Sequence, residues 1–257
     1  MTVLLLRLAG PLQSWGDSSR FVQRNTRQEP TKSGVMGLIA AAQGRHRVDP
    51  VEDLARLYYG VRTDQPGQLV RDFQTAQQWQ TPKKDGSVQS LPLSYRYYLA
   101  DAVFVAGIEA DRALLEGIHE AIMSPRFPLY LGRRSCPPAG LVSLGLRDGE
   151  LSEVMRAEEW RASESYKRRA KGRNIALEFV RDAVAADELT ETVRDIPLSF
   201  NPERREYGWR SITREPRVVV QNPYGTGTGT GAGAGAGDPT TAGTAEAHDF
   251  LGLIEEF

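Results

Sequence analysis

Thr2-Val3-Leu4-Leu5-Leu6-Arg7-Leu8-Ala9-Gly10-Pro11 is the stretch from which the fold of this chain is read. Its residues are apolar and β-prone, and Gly10-Pro11 stops the run, so Thr2 to Leu8 is predicted as a buried first strand. It lacks a basic leader and a small-residue cleavage site, which favours a strand over a signal peptide. No stretch approaches the roughly 20 apolar residues that cross a bilayer, so no membrane partner is expected.

Outward from this strand the periodicities alternate. A polar, basic loop runs from Gln13 to Lys32. Ser33 to Ala42 reads as a small-residue helix, with Thr31 or Ser33 to cap it and Gly44 to end it. Pro50 to Tyr59 reads as a second short helix capped by Asp49. Asp72 to Leu93 is rich in Gln, Thr and Lys, and Lys84-Asp85-Gly86-Ser87 carries a hairpin-turn signal. Tyr95 to Ile108 is a strong strand. Asp111 to Met123 is an amphipathic helix with Leu114, Leu115, Ile118 and Ile122 on one face. A Pro- and Arg-rich loop spans Pro125 to Pro138, and Leu141 to Leu146 is another strand.

The order strand, helix, hairpin, strand, helix, strand predicts an α+β, ferredoxin-like sandwich over residues 1–150, with a protruding hairpin at about 72–94. Residues 151–222 are expected to form a small, irregular, β-rich C-terminal subdomain. Residues 223–257, where Gly alternates with Thr or Ala before an acidic-apolar end, are expected to be disordered.

The 257 residues are 40% hydrophobic and 25% charged, with a formal net charge of −1. That average is ordinary for a globular protein and says nothing about where charge sits. Three segments are locally basic: Arg20 to Arg47, the group Arg126, Arg133 and Arg134, and Lys167 to Arg173. Each alone is also compatible with a solvated face. Cys136 is the single cysteine, which excludes an internal disulfide and a cysteine-based zinc site and fits a reducing cytoplasm. Ahead of two prolines, it reads as a small packed residue. No Asp/Glu/His grouping has metal-ligand spacing, and no cofactor is expected.

Glycine sharpens two of the basic segments. In Leu131-Gly132-Arg133-Arg134-Ser135 a glycine turn lets backbone amides approach phosphate, and arginine adds planar recognition. Pro30-Thr31-Lys32-Ser33-Gly34 sits at a predicted helix start, where free N–H groups and the helix dipole favour an anion. It is not a Walker loop, because the Gly-x4-Gly-Lys-Ser/Thr spacing is absent.

Leu8 to Gly16, Pro30 to Gly34, Arg71-Asp72-Phe73, Arg96 to Ala102 and Tyr130 to Pro137, in this order and spacing, resemble the CasD family. These are the fifth-family Cas subunits of the type I-E CRISPR surveillance complex, Cascade. The resemblance is specific over roughly residues 1–140 and looser to about 222, and it does not reach the glycine-rich tail. It implies the RNA-recognition-like, ferredoxin-like fold of the RAMP proteins, with the hairpin as a thumb. It further implies a subunit that binds the 5′ handle of CRISPR RNA and caps one end of the complex. Its partners would be the CasC backbone subunits, the large CasA subunit and target DNA. Carried over residue by residue, it implies RNA contacts at Gln13, Trp15, Arg24, Thr26, Arg27, Thr31, Lys32, Ser33, Gly34, Tyr95, Arg96, Gly132, Arg133, Arg134 and Ser135. Arg45, in the first basic segment, joins them.

Related subunits in another CRISPR subtype cleave precursor RNA without metal, so a metal-independent endonuclease is the alternative function. That chemistry needs an acid and a base about a 2′-hydroxyl. The chain has only His46, His119 and His248. His46 reads as a phosphate contact or solvated helix end, His119 as a partly buried structural residue, and His248 lies in the tail. The expectation is therefore a subunit that holds RNA without cutting it.

Overall fold

The computed structural model describes residues 1–16, 23–78 and 89–232. In chain order these comprise β1 (Thr2–Ala9), β2 (Leu12–Gln13), β3 (Gln23–Arg24), α1 (Lys32–Ala42), α2 (Glu52–Ala55), β4 (Tyr58–Gln65), β5 (Gln68–Gln74), β6 (Gln77–Gln78), β7 (Gln89–Ser90), β8 (Ser94–Ala100), β9 (Val103–Ala110), α3 (Arg112–Met123), β10 (Ser143–Asp148), α4 (Leu151–Ala157), α5 (Glu164–Arg169), β11 (Gly172–Asp182), β12 (Glu191–Ser199), β13 (Glu206–Gln221) and β14 (Gly227–Ala232).

The first strand explains the rest. Leu4, Leu6 and Leu8 point into a core shared with α1 and α3, whereas Val3 and Leu5 point into a second core with Leu151 and Met155 of α4. A strand covered on both faces has no polar side to alternate, which is why Thr2 to Ala9 is an apolar run. β1 sits inside a sheet of order β10-β1-β9-β4-β11-β13-β12. The pairings β10–β1, β1–β9 and β9–β4 are all antiparallel. The crossovers from β1 to β4 and from β9 to β10 contain α1 and α3, which touch each other.

Several sequence expectations need correction. The Pro50 to Tyr59 helix is only Glu52–Ala55, and Tyr58 already begins a core strand. Periodicity missed β4 because its centre carries Arg62 and Asp64, both fully buried. Arg62 Nε and Nη2 donate to the Asp64 carboxylate at 2.7 and 2.9 Å, and its remaining donors reach the carbonyls of Met155, Glu158 and Glu159. The predicted strand from Tyr95 to Ile108 is two strands in different sheets. Asp101 turns the chain between them at φ +55°, a left-handed conformation that a short polar side chain tolerates.

Residues 151–222 do not form an irregular unit apart. β11 pairs with β4 and β13, and β12 closes the edge, so this region extends the same sheet. β14 places the first part of the glycine-rich segment parallel to β11, which corrects the expectation of disorder there. The remainder of that segment lies outside the described residues. On α3, Leu115, Ile118 and Ile122 are buried as expected, but Leu114 is exposed.

A second sheet of order β2-β8-β3 stands beside the first, with β5 paired to β8. The antiparallel ladder from Gln68↔Ala100 to Gln74↔Ser94 continues through β6–β7. The paired arms thus reach further toward the body than residues 72–94. The turn signal at Lys84 to Ser87 falls outside the described residues. Leu69, Phe73, Leu91 and Leu93 are exposed on these arms.

Candidate nucleic-acid interface

A cleft of about 740 Å³ opens beside α1. One wall is the Leu131–Cys136 turn. Leu131 N–H donates to Cys136 O at 2.8 Å, and Cys136 N–H donates back to Arg133 O at 2.9 Å. Gly132 takes φ +88° and lies so close to the loop after β2 that a Cβ there would fall 1.8 Å from Ser14 O. Ser14 N–H in turn donates to Leu131 O at 3.1 Å. The glycine is needed first for this backbone approach. Cys136 is buried, and burial pushes its thiol up, so it packs as an inert side chain.

The two arginines of the turn diverge. Arg133 turns inward: its guanidinium donates to Tyr97 O at 3.2 Å and Arg24 O at 2.6 Å, and lies 4.8 Å from the Tyr98 ring centroid. Its fork is engaged with the protein's own carbonyls. Arg134 is exposed at the cleft, and among the described residues no hydrogen bond or ion pair engages it. The side chains of Arg24, Arg47 and Arg205, also on the cleft, are likewise exposed and unengaged among the described residues. Arg45 lines the cleft but is held by Asp53 in a two-pronged pair at 2.6 and 2.5 Å. That bond raises the Arg45 pKa and lowers that of Asp53.

The helix start at Pro30–Gly34 is already occupied by the protein itself. Thr31 is the N-cap and accepts from Gly34 N–H at 3.2 Å. Lys32 N–H donates to Asp195 Oδ2 at 2.8 Å, which places a carboxylate where an external anion was expected. Lys32 is 4% exposed, and its Nζ reaches Asp182 at 2.9 Å. Arg210 ties both carboxylates together, donating to Asp195 at 2.6 and 2.9 Å and to Asp182 at 2.5 Å. Two aspartates face one lysine and one arginine, so this buried group is balanced. Lys32 therefore anchors α1 away from the cleft, while Thr31 caps the helix and also lines the cleft.

Gln13 and Trp15 are corrected in the same way. Trp15 is 0% exposed, so its ring cannot stack on a base. It packs on Gly34, where a Cβ would come within 2.7 Å of Trp15 Cε3. Its Nε1 donates to Gln13 Oε1, and Gln13 Nε2 donates to Leu8 O and Ala102 O. Thr26 Oγ1 accepts from Trp15 N–H at 2.8 Å, and Arg27 N–H donates to Trp15 O. These residues fix the loop geometry. Ser33 is buried against Thr31 at the cleft base. Ser135 is exposed, beside Cys136.

Tyr95 is exposed on β8, and Arg71 sits 5.4 Å from its ring centroid. Arg96, cross-strand from Arg24, has its Nε buried with no partner among the described residues. Neither lines the cleft.

Sequence reading missed the opposite wall. Phe200 and Arg205 arrive from the connection between β12 and β13, Tyr207 from the start of β13, and Phe127 and Tyr130 from the loop after α3. An Arg-rich turn flanked by aromatics, Phe200 to Tyr207, was the available signal. His46 is exposed in the cleft, edge-on to Phe127 at 5.6 Å. His119 is half-buried away from it, with Nδ1 2.7 Å from Ser143 Oγ. His248 lies outside the described residues. No cluster of metal ligands occurs among the described residues, and no described helix is long and apolar enough to cross a membrane.

A family described as CRISPR-associated protein (Cas_Cas5) matches residues 3–213. The CRISPR system Cascade subunit CasD of Escherichia coli (strain K12) is 33% identical over 162 residues, covering 55% of this chain and 70% of that protein. A chain of a solved CRISPR RNA-guided surveillance complex superposes with a TM-score of 0.70 at 31% identity, covering 88% of this chain and 93% of its own. A solved Cas protein superposes at 0.63 and 38% identity, covering 87% and 97%. The chain belongs to the Cas5 family of CRISPR-associated proteins.

Proposed function

We propose that this chain is the subunit of a type I-E Cascade complex that holds the 5′ handle of CRISPR RNA and caps one end of the assembly. The observation that carries the reading is the cleft: Arg24, Arg47, Arg134 and Arg205 stand around it with unspent guanidinium groups, and aromatic side chains line its walls. Single-stranded RNA is bound by this combination, with cations on phosphates and π-faces for splayed bases.

The βαββαβ order β10-β1-β9-β4, with α1 and α3 as crossovers, supports assignment to the ferredoxin-like RAMP fold. The β5–β8 and β6–β7 arms act as its thumb. Their exposed Leu69, Phe73, Leu91 and Leu93 suit burial against a CasC backbone subunit and the guide–target duplex. The large CasA subunit and target DNA complete the partner set. The chain contributes no catalytic group, and it works in the cytoplasm.

The test is co-expression of the chain with its Cascade neighbours and measurement of handle RNA retention across a salt series. Arg134→Ala with Arg205→Ala removes two expected phosphate contacts, so the slope of log K against log salt falls by about 1.4. An unchanged slope and unchanged retention would reject the cleft as the handle site.

A further inference from the structure

Arg168, Arg169, Lys171 and Arg173 stand together where α5 runs into β11. The far end of β11, at Asp182, is the end tied to Lys32 and α1, about 30 Å along the strand. None of the four lines the cleft. All four are exposed, and among the described residues no carboxylate pairs with any of them. By contrast, Arg62, Arg156, Arg161, Arg181 and Arg210 each face a carboxylate. Even the adjacent Lys167 takes Glu164 at 3.2 Å. The dipole of α5 accounts for cations in its last turn, but Lys171 and Arg173 lie beyond the helix.

The backbone beneath these side chains is clamped. Buried Asn222 donates from Nδ2 to Lys167 O at 3.0 Å and Ala170 O at 2.7 Å, and from its own N–H to Arg173 O at 2.7 Å. Gly227 N–H closes onto Lys171 O at 3.1 Å. Arg168 is laid over Tyr224, 4.7 Å from the ring centroid, and the Tyr224 hydroxyl donates to Glu164 at 2.7 Å. Four cations of like sign thus stand on a clamped backbone without an ion-pair partner among the described residues, and Glu164 beside Arg168 is the one carboxylate that acts on the group through space. The backbone that carries them is already ordered, and arginine forks match phosphate oxygens.

We infer that this corner is a second anion-binding surface, distinct from the cleft, and that it takes the phosphodiester backbone of a nucleic acid. The test uses the full chain and fluorescence anisotropy with two probes, duplex DNA and single-stranded RNA, each over a salt series. The variant Arg168→Gln/Arg169→Gln/Lys171→Gln/Arg173→Gln keeps the Asn222 clamp, so its thermal midpoint should match the parent. Its salt slope should fall by about 2 or more on at least one probe, since each lost phosphate contact removes roughly 0.7 to 0.9. A loss confined to duplex assigns the corner to DNA, and a loss confined to RNA assigns it to an extension of the RNA path. Unchanged slope and affinity on both probes overturn the inference. Arg134→Ala/Arg205→Ala runs alongside, so a failure of the cleft reading registers separately from a failure of this one.

Discussion

Gly132 and Ser14 meet through their backbones: a Cβ on Gly132 would lie 1.8 Å from Ser14 O, at a residue whose φ is +88°. Two constraints fall on one position, since the left-handed backbone alone costs a non-glycine residue about 1–3 kcal/mol. The contact also cannot relax, because it is main chain against main chain. Gly132→Ala is expected to lower unfolding free energy by more than that strain and to shift the 131–136 turn away from the Gln13–Trp15 loop. Urea denaturation measures the first effect. A matching loss of RNA retention is expected, because Arg134 is carried on the displaced turn.

Arg133 and Arg134 separate stability from binding. Arg133→Ala strands the carbonyls of Arg24 and Tyr97, so β3 loosens from β8 at a cost of about 1–2 kcal/mol. Arg134→Ala removes a side chain with no partner among the described residues, so the thermal midpoint should stay within measurement error while RNA binding weakens. The expected pattern is a midpoint shift for Arg133→Ala and a salt-slope change for Arg134→Ala. The reverse pattern would mean that Arg134 supports the fold.

Much of this was legible in the sequence because local rules and tertiary context agree there. β1, α1 with its Thr31 cap, and α3 follow from apolar runs, capping and period. The reading failed where polar residues work inside the core. Arg62 and Asp64 hid β4, and Asp101 concealed a break between β8 and β9. At the interface the sequence identified the right segments but not the direction of each side chain. Trp15, Gln13, Thr31 and Lys32 sit in the signal-bearing stretches, yet their polar atoms are spent on Leu8, Ala102, Gly34 and Asp182. Ala102, 89 residues from Gln13, and Asp182, 150 residues from Lys32, leave no mark on a local pattern. Phe200, Arg205 and Tyr207 were missed because strand order alone carries the β12–β13 connection to α1.

Cleavage of repeat RNA is not expected from the purified chain. A metal-independent cut needs an acid and a base on either side of one phosphodiester, usually from His, Tyr or Lys. His46 lines the cleft with its ring packed on Phe127, and beside the tyrosines Tyr130 and Tyr207 no second histidine and no lysine lines it among the described residues. His119 is engaged by Ser143, on the strand at the far side of α3. Labelled repeat RNA incubated in EDTA should therefore stay intact. A specific product lost on His46→Ala would assign the chain a nuclease role instead.

Asp195 ties the start of α1 to Arg210 of β13. Its carboxylate caps the Lys32 amide and receives two Arg210 donors, and its 3% exposure leaves water little access. Removing one member of a buried charge group leaves the others uncompensated, at a cost of about 3–5 kcal/mol. Asp195→Ala should therefore destabilise far more than Asp53→Ala, which releases only the partly exposed Arg45. Freeing the helix start also creates an anion site where Asp195 stood. Sulfate or phosphate should accordingly raise the thermal midpoint of Asp195→Ala more than that of the parent. Equal anion effects on both proteins would show that the amide at Lys32 is not reachable, and that Asp195 acts through Arg210 alone.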